Sequence, residues 1–117
     1  MFRLKAVALT FGLLVCGPAQ SAELLMFRQA WCHWCDQWER EIGVIYEKTD
    51  ESHIAPLRRL DIHDPLPQLT LQLRPRFTPT FVLVSDGKEV GRIEGYPGEA
   101  FFWGLLGKLL EQLPPPN

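Results

Sequence analysis

Two cysteines separated by two residues form the clearest chemical pattern in this sequence. The chain of 117 residues has three cysteines, and Cys32 and Cys35 are the only ones beyond residue 16. A secreted protein whose disulfides serve as staples closes long loops with them, because the stabilisation grows with loop length. A pair this close in sequence stabilises a fold little, so reactivity explains it better. We therefore expect these thiols to exchange electrons with another disulfide or dithiol.

The secondary structure predicted around this pair favours the same chemistry. Residues 24–27 are apolar and predict a buried strand, and a helix is predicted from residue 33 to about residue 48. Its apolar face consists of Cys35, Trp38, Ile42 and Ile45. The unpaired N–H groups at a helix start lower the pKa of a thiol there, to roughly 3.5–7.5 from about 8.5. Cys32 is therefore the predicted nucleophile and Cys35, one turn further on, the predicted resolving thiol.

The side chains beside the two cysteines predict how the pair is tuned. A protonated His33 would add positive charge near Cys32 and favour its thiolate. The alternative for His33 is an exposed ring without effect on the sulfur. Trp31 and Trp34 are predicted to shield the sulfurs and to offer a substrate a flat apolar surface, with ordinary core packing as their alternative.

Other uses of two closely spaced cysteines fit the sequence less well. A c-type haem site requires a histidine directly after the second cysteine, where this chain has Asp36. A structural zinc site needs four ligands, and the histidines at positions 33, 53 and 63 have no standard spacing. We expect no metal and no cofactor. A non-enzymatic module that binds a metal or senses redox state stays an alternative.

The rest of the chain alternates strands with helices. Three further strands are predicted: one lies within residues 55–62 and is centred on residues 57–61, and the others cover residues 80–85 and 89–94. Asp86-Gly87 predicts a tight hairpin turn between the last two. We therefore expect an α/β fold, in which a βαβ half joins a ββα half around a central mixed sheet of about four strands.

Two further helices are predicted from apolar spacing. Leu66, Leu69 and Leu73 predict a short helix between prolines. A final helix is predicted from about residue 99 to residue 113, and Gly104 and Gly107 within it predict close packing against the sheet. Its predicted buried stripe consists of Phe102, Leu105, Leu106, Leu109, Leu110 and Leu113.

The first 22 residues have the order of a secretory signal peptide. Arg3 and Lys5 precede an apolar run over residues 6–15, and small residues follow. The run is shorter than the roughly 20 residues that span a membrane as a helix. Cleavage is predicted after Ser21 or Ala22. One exported domain, residues 23–117, would then remain in the periplasm.

Composition limits the partners of that domain. The formal charge of the chain is −2 at pH 7, and loss of the basic start would make it more negative. There is no basic patch or arginine run, so we expect no nucleic-acid partner. A lipid anchor on Cys16 is disfavoured, because Val15 stands where a small residue is expected. We expect a monomer that acts on a protein disulfide.

Several features together resemble the thioredoxin superfamily. They are Trp31 before the Cys32/Cys35 pair, Thr78-Pro79 before a strand hairpin that turns at Asp86-Gly87, and a closing helix. The resemblance spans nearly all of residues 23–117. It implies a cis peptide bond before Pro79, close to the cysteines, and a Thr78 backbone that is presented to an extended substrate segment. The chain lacks Gly-Pro between its cysteines and an extra strand and helix before the first strand, so the expected fold is near-minimal.

A narrower set of segments resembles the SoxS-type periplasmic thioredoxins of bacterial sulfur-oxidation systems. These segments are Leu25-Met26-Phe27, Glu41-Ile42-Gly43, Phe77-Thr78-Pro79-Thr80-Phe81 and Gly91-Arg92-Ile93-Glu94-Gly95-Tyr96-Pro97-Gly98. The resemblance implies a reductase that keeps the cysteine of a sulfur-carrier protein active, with electrons from a membrane dithiol transporter. A disulfide oxidase or isomerase of the same fold is the alternative, because an oxidising compartment favours it.

Overall fold

A four-stranded mixed sheet forms the centre of the domain in the computed structural model, which describes residues 3, 5–10, 12 and 21–115. Its strands are β1 (Ala22–Arg28), β2 (Leu57–Asp61), β3 (Thr80–Ser85) and β4 (Lys88–Glu94). Their order across the sheet is β2-β1-β3-β4, in which β1 and β2 are parallel and the other neighbours are antiparallel. The predicted α/β fold with a mixed sheet is confirmed.

The beginning of β1 coincides with the predicted signal-peptide boundary. Ser21 is bonded to the hairpin turn: its N–H donates to Asp86 Oδ1 at 3.1 Å, and its carbonyl accepts from Asp86 N at 2.9 Å. Most of the predicted signal peptide, including Cys16, lies outside the described residues. Within the described part of the chain, no helix has both the length and the apolar character needed to cross a membrane.

The helical segments are α1 (His33–Trp38), a π-helical turn (Glu39–Gly43), α2 (Val44–Tyr46), α3 (Asp50–Ile54) and α4 (Glu99–Glu111). The first three are continuous and form the helix that was predicted from residue 33 to about residue 48. Helix α3 was not predicted from the sequence. Thr49 caps it, because its Oγ1 accepts a hydrogen bond from Ser52 N at 3.2 Å.

The π-helical turn changes which residues of the first helix are buried. Cys35, Trp38 and Ile42 are fully buried, as predicted. The prediction for Ile45 was wrong: its side chain is 40% exposed, and Tyr46 is buried in its place. A π turn adds one residue to the repeat, so the inward face moves one position along the chain.

The segment between β2 and β3 covers one face of the sheet without forming a helix. The prediction of a helix through Leu66, Leu69 and Leu73 was wrong, since residues 62–79, all of which the structure describes, contain turns and bends. Prolines at 65, 67 and 75 remove helix donors. Leu66 and Leu69 still pack on the sheet, whereas Leu73 is 50% exposed. The cluster that they join consists of Leu25, Phe27, Val82 and Val84 with Leu60, Leu66, Leu69 and Leu71.

The opposite face of the sheet carries the larger core. The rings of Trp38, Phe81 and Phe102 pack against one another, with centroids 5.0 Å apart for Trp38–Phe81 and 4.9 Å apart for Phe81–Phe102. Cys32 and Cys35 belong to the same buried cluster. The cysteine pair therefore packs in the same core cluster as these aromatic rings.

Helix α4 covers this core with part of its predicted stripe. Phe102 and Leu106 are fully buried, but Leu105 was wrongly predicted to be buried and is 40% exposed. The prediction that Gly104 and Gly107 pack closely against the sheet was also wrong. A Cβ atom added at either glycine would meet nothing within 4 Å.

A largely buried ion pair fixes the segment before the third strand. Arg92 Nη2 lies 2.7 Å from Glu89 Oε1, and it also donates to the carbonyl of Leu73. Glu89 Oε1 accepts a further bond from Gln72 N at 3.1 Å. Burial alone raises the pKa of the Glu89 carboxyl, but the bonds from Arg92 and Gln72 outweigh it and hold that pKa below its ordinary value.

Candidate active site

Cys32 and Cys35 lie at the junction between β1 and α1, and their sulfurs form a disulfide. Cys32 is the residue that precedes the first helical turn, and its Sγ accepts a hydrogen bond from Cys35 N at 3.1 Å. Its carbonyl accepts from Asp36 N at 3.1 Å. Cys32 is 9% exposed and Cys35 is fully buried. The pair therefore has one member with a small exposed surface and one that is fully enclosed.

This asymmetry determines which sulfur an external disulfide can reach. An N–H group aimed at Cys32 Sγ stabilises negative charge on that sulfur once the disulfide is opened. Cys35 has no exposed surface, so its sulfur meets a partner only through Cys32. The geometry fits an exchange in which the outer sulfur attacks first and the inner sulfur closes the ring.

The aromatic residues that flank Cys32 in the sequence have exposed side chains. Trp31 is fully exposed and has a positive φ of 62°, and Trp34 is 53% exposed with its ring 5.2 Å from that of His33. Both tryptophans therefore lie outside the core. Phe77 is 59% exposed beside the Thr78-Pro79 loop and was not singled out from the sequence.

The loop before β3 is held by hydrogen bonds on both sides of Pro79. The Thr78–Pro79 peptide bond is cis. Thr80 Oγ1 donates to the Phe77 carbonyl at 2.7 Å, and the Pro79 carbonyl accepts from Gly95 N at 2.8 Å. Within residues 21–115, neither the N–H nor the carbonyl of Thr78 bonds to another backbone group.

Two long-range side-chain bonds in this region escaped the sequence reasoning. Gln29 Nε2 donates to Thr78 Oγ1 at 2.8 Å and so joins the cysteine loop to the proline loop. Tyr96 OH donates to Glu41 Oε2 at 2.9 Å and joins the segment before α4 to the π-helical turn. Burial, followed by this bond to Glu41, raises the pKa of Tyr96 to about 12.

The described residues contain no group of three or more His, Cys, Asp or Glu side chains that lie close enough together to hold a metal ion.

Comparison with known proteins decides the family. Residues 17–110 match the family model of the thioredoxin-like domain. The chain belongs to this family. It is also similar to the crystal structure of the periplasmic thioredoxin SoxS from Paracoccus pantotrophus in its reduced form, with 49% identity and a TM-score of 0.77, covering 79% of this chain and 98% of that chain. The superfamily predicted from the sequence is confirmed.

More distant structures share the thioredoxin-like fold alone. The thioredoxin Mala s 13 of Malassezia sympodialis has 19% identity and a TM-score of 0.57, over 77% of this chain and 78% of that one. The DsbH oxidoreductase has 18% identity and a TM-score of 0.54, over 79% and 74%. No curated protein matches the chain.

Membership in the thioredoxin-like family gives the cysteine pair its chemistry. This thioredoxin-like protein is a thiol–disulfide oxidoreductase with a redox-active Cys32–Cys35 disulfide. Trp31, His33 and Trp34 are neighbours of the two cysteines in the sequence. Thr78 and Pro79 come from another part of the sequence, and the Gln29 side chain links Thr78 to the loop that carries the cysteines.

Proposed function

We propose that this protein is a periplasmic reductase of protein disulfides or mixed disulfides. The observation that carries the proposal is the unequal burial of the two cysteines, with Cys32 at 9% exposure and Cys35 at zero. The similarity to a periplasmic thioredoxin over 98% of that chain supports the compartment and the reducing direction.

In the first step, the Cys32 thiolate attacks one sulfur of the substrate disulfide. A bond forms between Cys32 Sγ and that sulfur, the substrate S–S bond breaks, and the second substrate sulfur leaves as a thiolate that takes a proton from water. The Cys35 N–H, which is 3.1 Å from Cys32 Sγ in the disulfide, supports this role because it stabilises the anionic sulfur before attack. A protonated His33 would add to that effect.

In the second step, Cys35 gives up its proton and attacks Cys32 Sγ. The intramolecular disulfide forms, the mixed disulfide breaks, and the remaining substrate sulfur leaves as a thiol once it is protonated. The substrate takes up two protons, one that Cys35 released and one from water, and it gains the two electrons that the enzyme pair loses. A dithiol donor has to return them, and a membrane dithiol transporter is the class of donor that we propose.

The substrate surface that we propose is an apolar rim formed by the exposed aromatic side chains of the cysteine loop and of the loop before β3. Trp31, Trp34 and Phe77 are all more than half exposed, although large apolar side chains usually lie inside. The free backbone groups of Thr78 are available to an extended segment, which would pair there as an added strand does. A partner with a cysteine in an extended, partly apolar segment fits this rim, and a sulfur-carrier protein is the substrate that we favour.

Trapping of the mixed disulfide tests the assignment of the two sulfurs. With Cys35→Ser, the second step is blocked, so we expect a covalent adduct between Cys32 and a protein disulfide such as insulin. Mass spectrometry should place the adduct on Cys32, and dithiothreitol should release it. The matched control is Cys32→Ser, which should give no adduct. An adduct on Cys35, or none in either variant, would contradict the mechanism.

The equilibrium redox potential of the Cys32/Cys35 couple, measured against glutathione, tests the direction of electron transfer. We expect a value closer to the roughly −270 mV of a reducing thioredoxin than to the roughly −120 mV of a strong disulfide oxidant. A potential near the second value would contradict the reductase and favour the oxidase or isomerase. Unchanged function after both cysteines become serine would instead favour a non-enzymatic module.

N-terminal sequencing of the protein from a periplasmic fraction tests the export that we propose. Residues 1–22 should be absent if cleavage follows Ala22, so that the chain begins at Glu23. Cleavage after Ser21 would leave Ala22, the first residue of β1, at the terminus. An intact Met1 on protein confined to the cytoplasm would contradict both the signal peptide and the compartment.

A further inference from the structure

A side-chain bond connects the two loops that the proposed mechanism uses. Gln29 lies three residues before Cys32, and its Nε2 donates to Thr78 Oγ1 at 2.8 Å. The two residues are 49 positions apart in sequence, and both are partly buried. One loop carries the attacking sulfur, and the other presents backbone groups to the substrate. The bond therefore joins the loop that carries the nucleophile to the loop to which we propose that the substrate binds.

We propose that Gln29 is a positioning residue for protein substrates, which it serves by holding Thr78 at a fixed place relative to Cys32. This inference rests on the proposed function. Gln29 touches no reacting atom, and it acts through the threonine hydroxyl. Its effect is on the backbone to which an extended substrate segment pairs, so it concerns recognition and alignment of the substrate rather than the reactivity of the sulfur.

The surrounding bonds explain why this single contact matters. Thr80 Oγ1 fixes the Phe77 carbonyl on one side of Thr78, and Gly95 N fixes the Pro79 carbonyl on the other. Neither bond reaches across to the loop that carries Cys32. The Gln29 amide does, and it uses the Thr78 side chain, which leaves the N–H and carbonyl of that residue for a substrate.

The choice of substrate separates positioning from reactivity. A small aromatic disulfide reagent such as 5,5′-dithiobis(2-nitrobenzoate) has no peptide backbone to pair with Thr78, so its reduction reports the sulfur of Cys32 alone. Insulin has disulfides within polypeptide chains, so its reduction reports both the reactivity of Cys32 and the positioning of the substrate. Loss of a neutral hydrogen bond that aligns the substrate should lower the rate constant for insulin by about fivefold.

The experiment compares kcat/KM for insulin with the rate constant for the small reagent in several variants. Gln29→Ala removes the donor, Thr78→Val removes the acceptor at constant shape, and the double variant tests their coupling. Thr78→Ser keeps the hydroxyl. The control is Gln37→Ala, which removes a glutamine side-chain bond of the same length within one helical segment, from Gln37 Nε2 to the Glu41 carboxylate at 2.8 Å.

We expect Gln29→Ala and Thr78→Val each to reduce insulin about fivefold more slowly, and the double variant to be no slower than either. The small reagent should react within about twofold of the wild-type rate in all of them. Thr78→Ser, which keeps the hydroxyl, should restore most of the insulin rate that Thr78→Val loses, and the control Gln37→Ala should keep its activity on insulin. Thermal unfolding of each variant, measured in parallel, reports any loss of fold.

Several results would overturn the inference. Equal losses on both substrates would make Gln29 a structural brace, and additive losses in the double variant would mean that the two side chains act separately. If the wild type reduces insulin and Gln29→Ala reduces it at the same rate, the role of Gln29 is refuted and the proposed function stays intact. A wild type that reduces the small reagent but not insulin would refute the proposed function as well.

Discussion

Replacing Glu89 by glutamine tests the anchor of the segment that leads to the cis-proline loop. The Glu89 carboxylate accepts hydrogen bonds from Arg92 Nε at 2.9 Å, Arg92 Nη2 at 2.7 Å and Gln72 N at 3.1 Å, and its side chain is 1% exposed. Glutamine keeps the shape but removes the charge and one acceptor oxygen. Among the residues that the structure describes, the more distant carboxylate of Glu94, at 3.8 Å, is then the one left to balance the charge of Arg92.

The expected loss of stability follows from the burial of the Glu89 side chain. A hydrogen bond to a charged group contributes about 1.5–3 kcal/mol, whereas a fully exposed ion pair contributes about 0–1 kcal/mol. Because the Glu89–Arg92 pair is mostly enclosed, we expect Glu89→Gln to lower the free energy of unfolding by about 2 kcal/mol at neutral pH. The melting temperature should then fall by roughly 10 °C.

The pH dependence gives an independent check on the charge. The folded-state pKa of Glu89 is lowered, so its contribution is complete above the unfolded pKa of about 4.3 and is lost as the pH falls through the folded value. The glutamine variant has no such proton to bind. The difference in unfolding free energy between wild type and variant should therefore shrink in acid.

Urea unfolding of the oxidised protein at neutral and acid pH measures both effects. The matched control is Glu39→Gln, whose carboxylate contacts Arg59 at 2.7 Å and 2.8 Å with similar geometry but with side chains 24% and 39% exposed. This control should cost less than about 1 kcal/mol. Equal losses in the two variants, or a loss at Glu89 that does not shrink in acid, would refute the reasoning.

Other predictions concern the sulfur, the last helix and the phenols. With the second cysteine replaced by serine, the iodoacetamide reactivity of Cys32 should titrate with a pKa of roughly 3.5–7.5; a value of about 8.5 would remove the basis for the nucleophile. Gly104→Ala and Gly107→Ala should each raise the free energy of unfolding by about 0.5–1 kcal/mol in urea titrations, since a Cβ meets nothing within 4 Å; a loss at either site would contradict the exposed helix face. Burial raises the pKa of both tyrosines, Tyr46 and Tyr96. Ultraviolet absorbance should therefore show no phenolate step near pH 10 while the protein is folded, and the stability that these phenols contribute, complete below about pH 10, should be lost as the pH rises above it; a phenolate step at the ordinary value would count against the buried environment.

Local chemistry explains what could be predicted about the redox pair and the sheet. Residues 80–85 form β3 because a run of β-branched and apolar residues favours an extended strand. Asp86 and Gly87 have φ values of 51° and 79°, which is the turn that their residue types predict. The spacing of Cys32 and Cys35 allows their sulfurs to bond one helical turn apart.

The wrong predictions arose where packing overrode local periodicity. Leu66, Leu69 and Leu73 have helical spacing, yet Pro67 interrupts the run. Leu66 and Leu69 reach the sheet from an irregular segment, whereas Leu73 is half exposed. Tyr46 replaces Ile45 in the core because the π-helical turn displaces the buried face by one residue. An apolar spacing pattern does not reveal a change in helix type within the run.

The sequence by itself determined the reactive pair, the order of the strands along the chain and the turns between them, because these depend on neighbouring residues with fixed covalent spacing. Only the tertiary structure decided which loops meet at the site. The bond from Gln29 to Thr78 spans 49 positions and that from Tyr96 to Glu41 spans 55. Such contacts form because sheet pairing and core packing bring distant segments together, and no local pattern in the sequence encodes the partner.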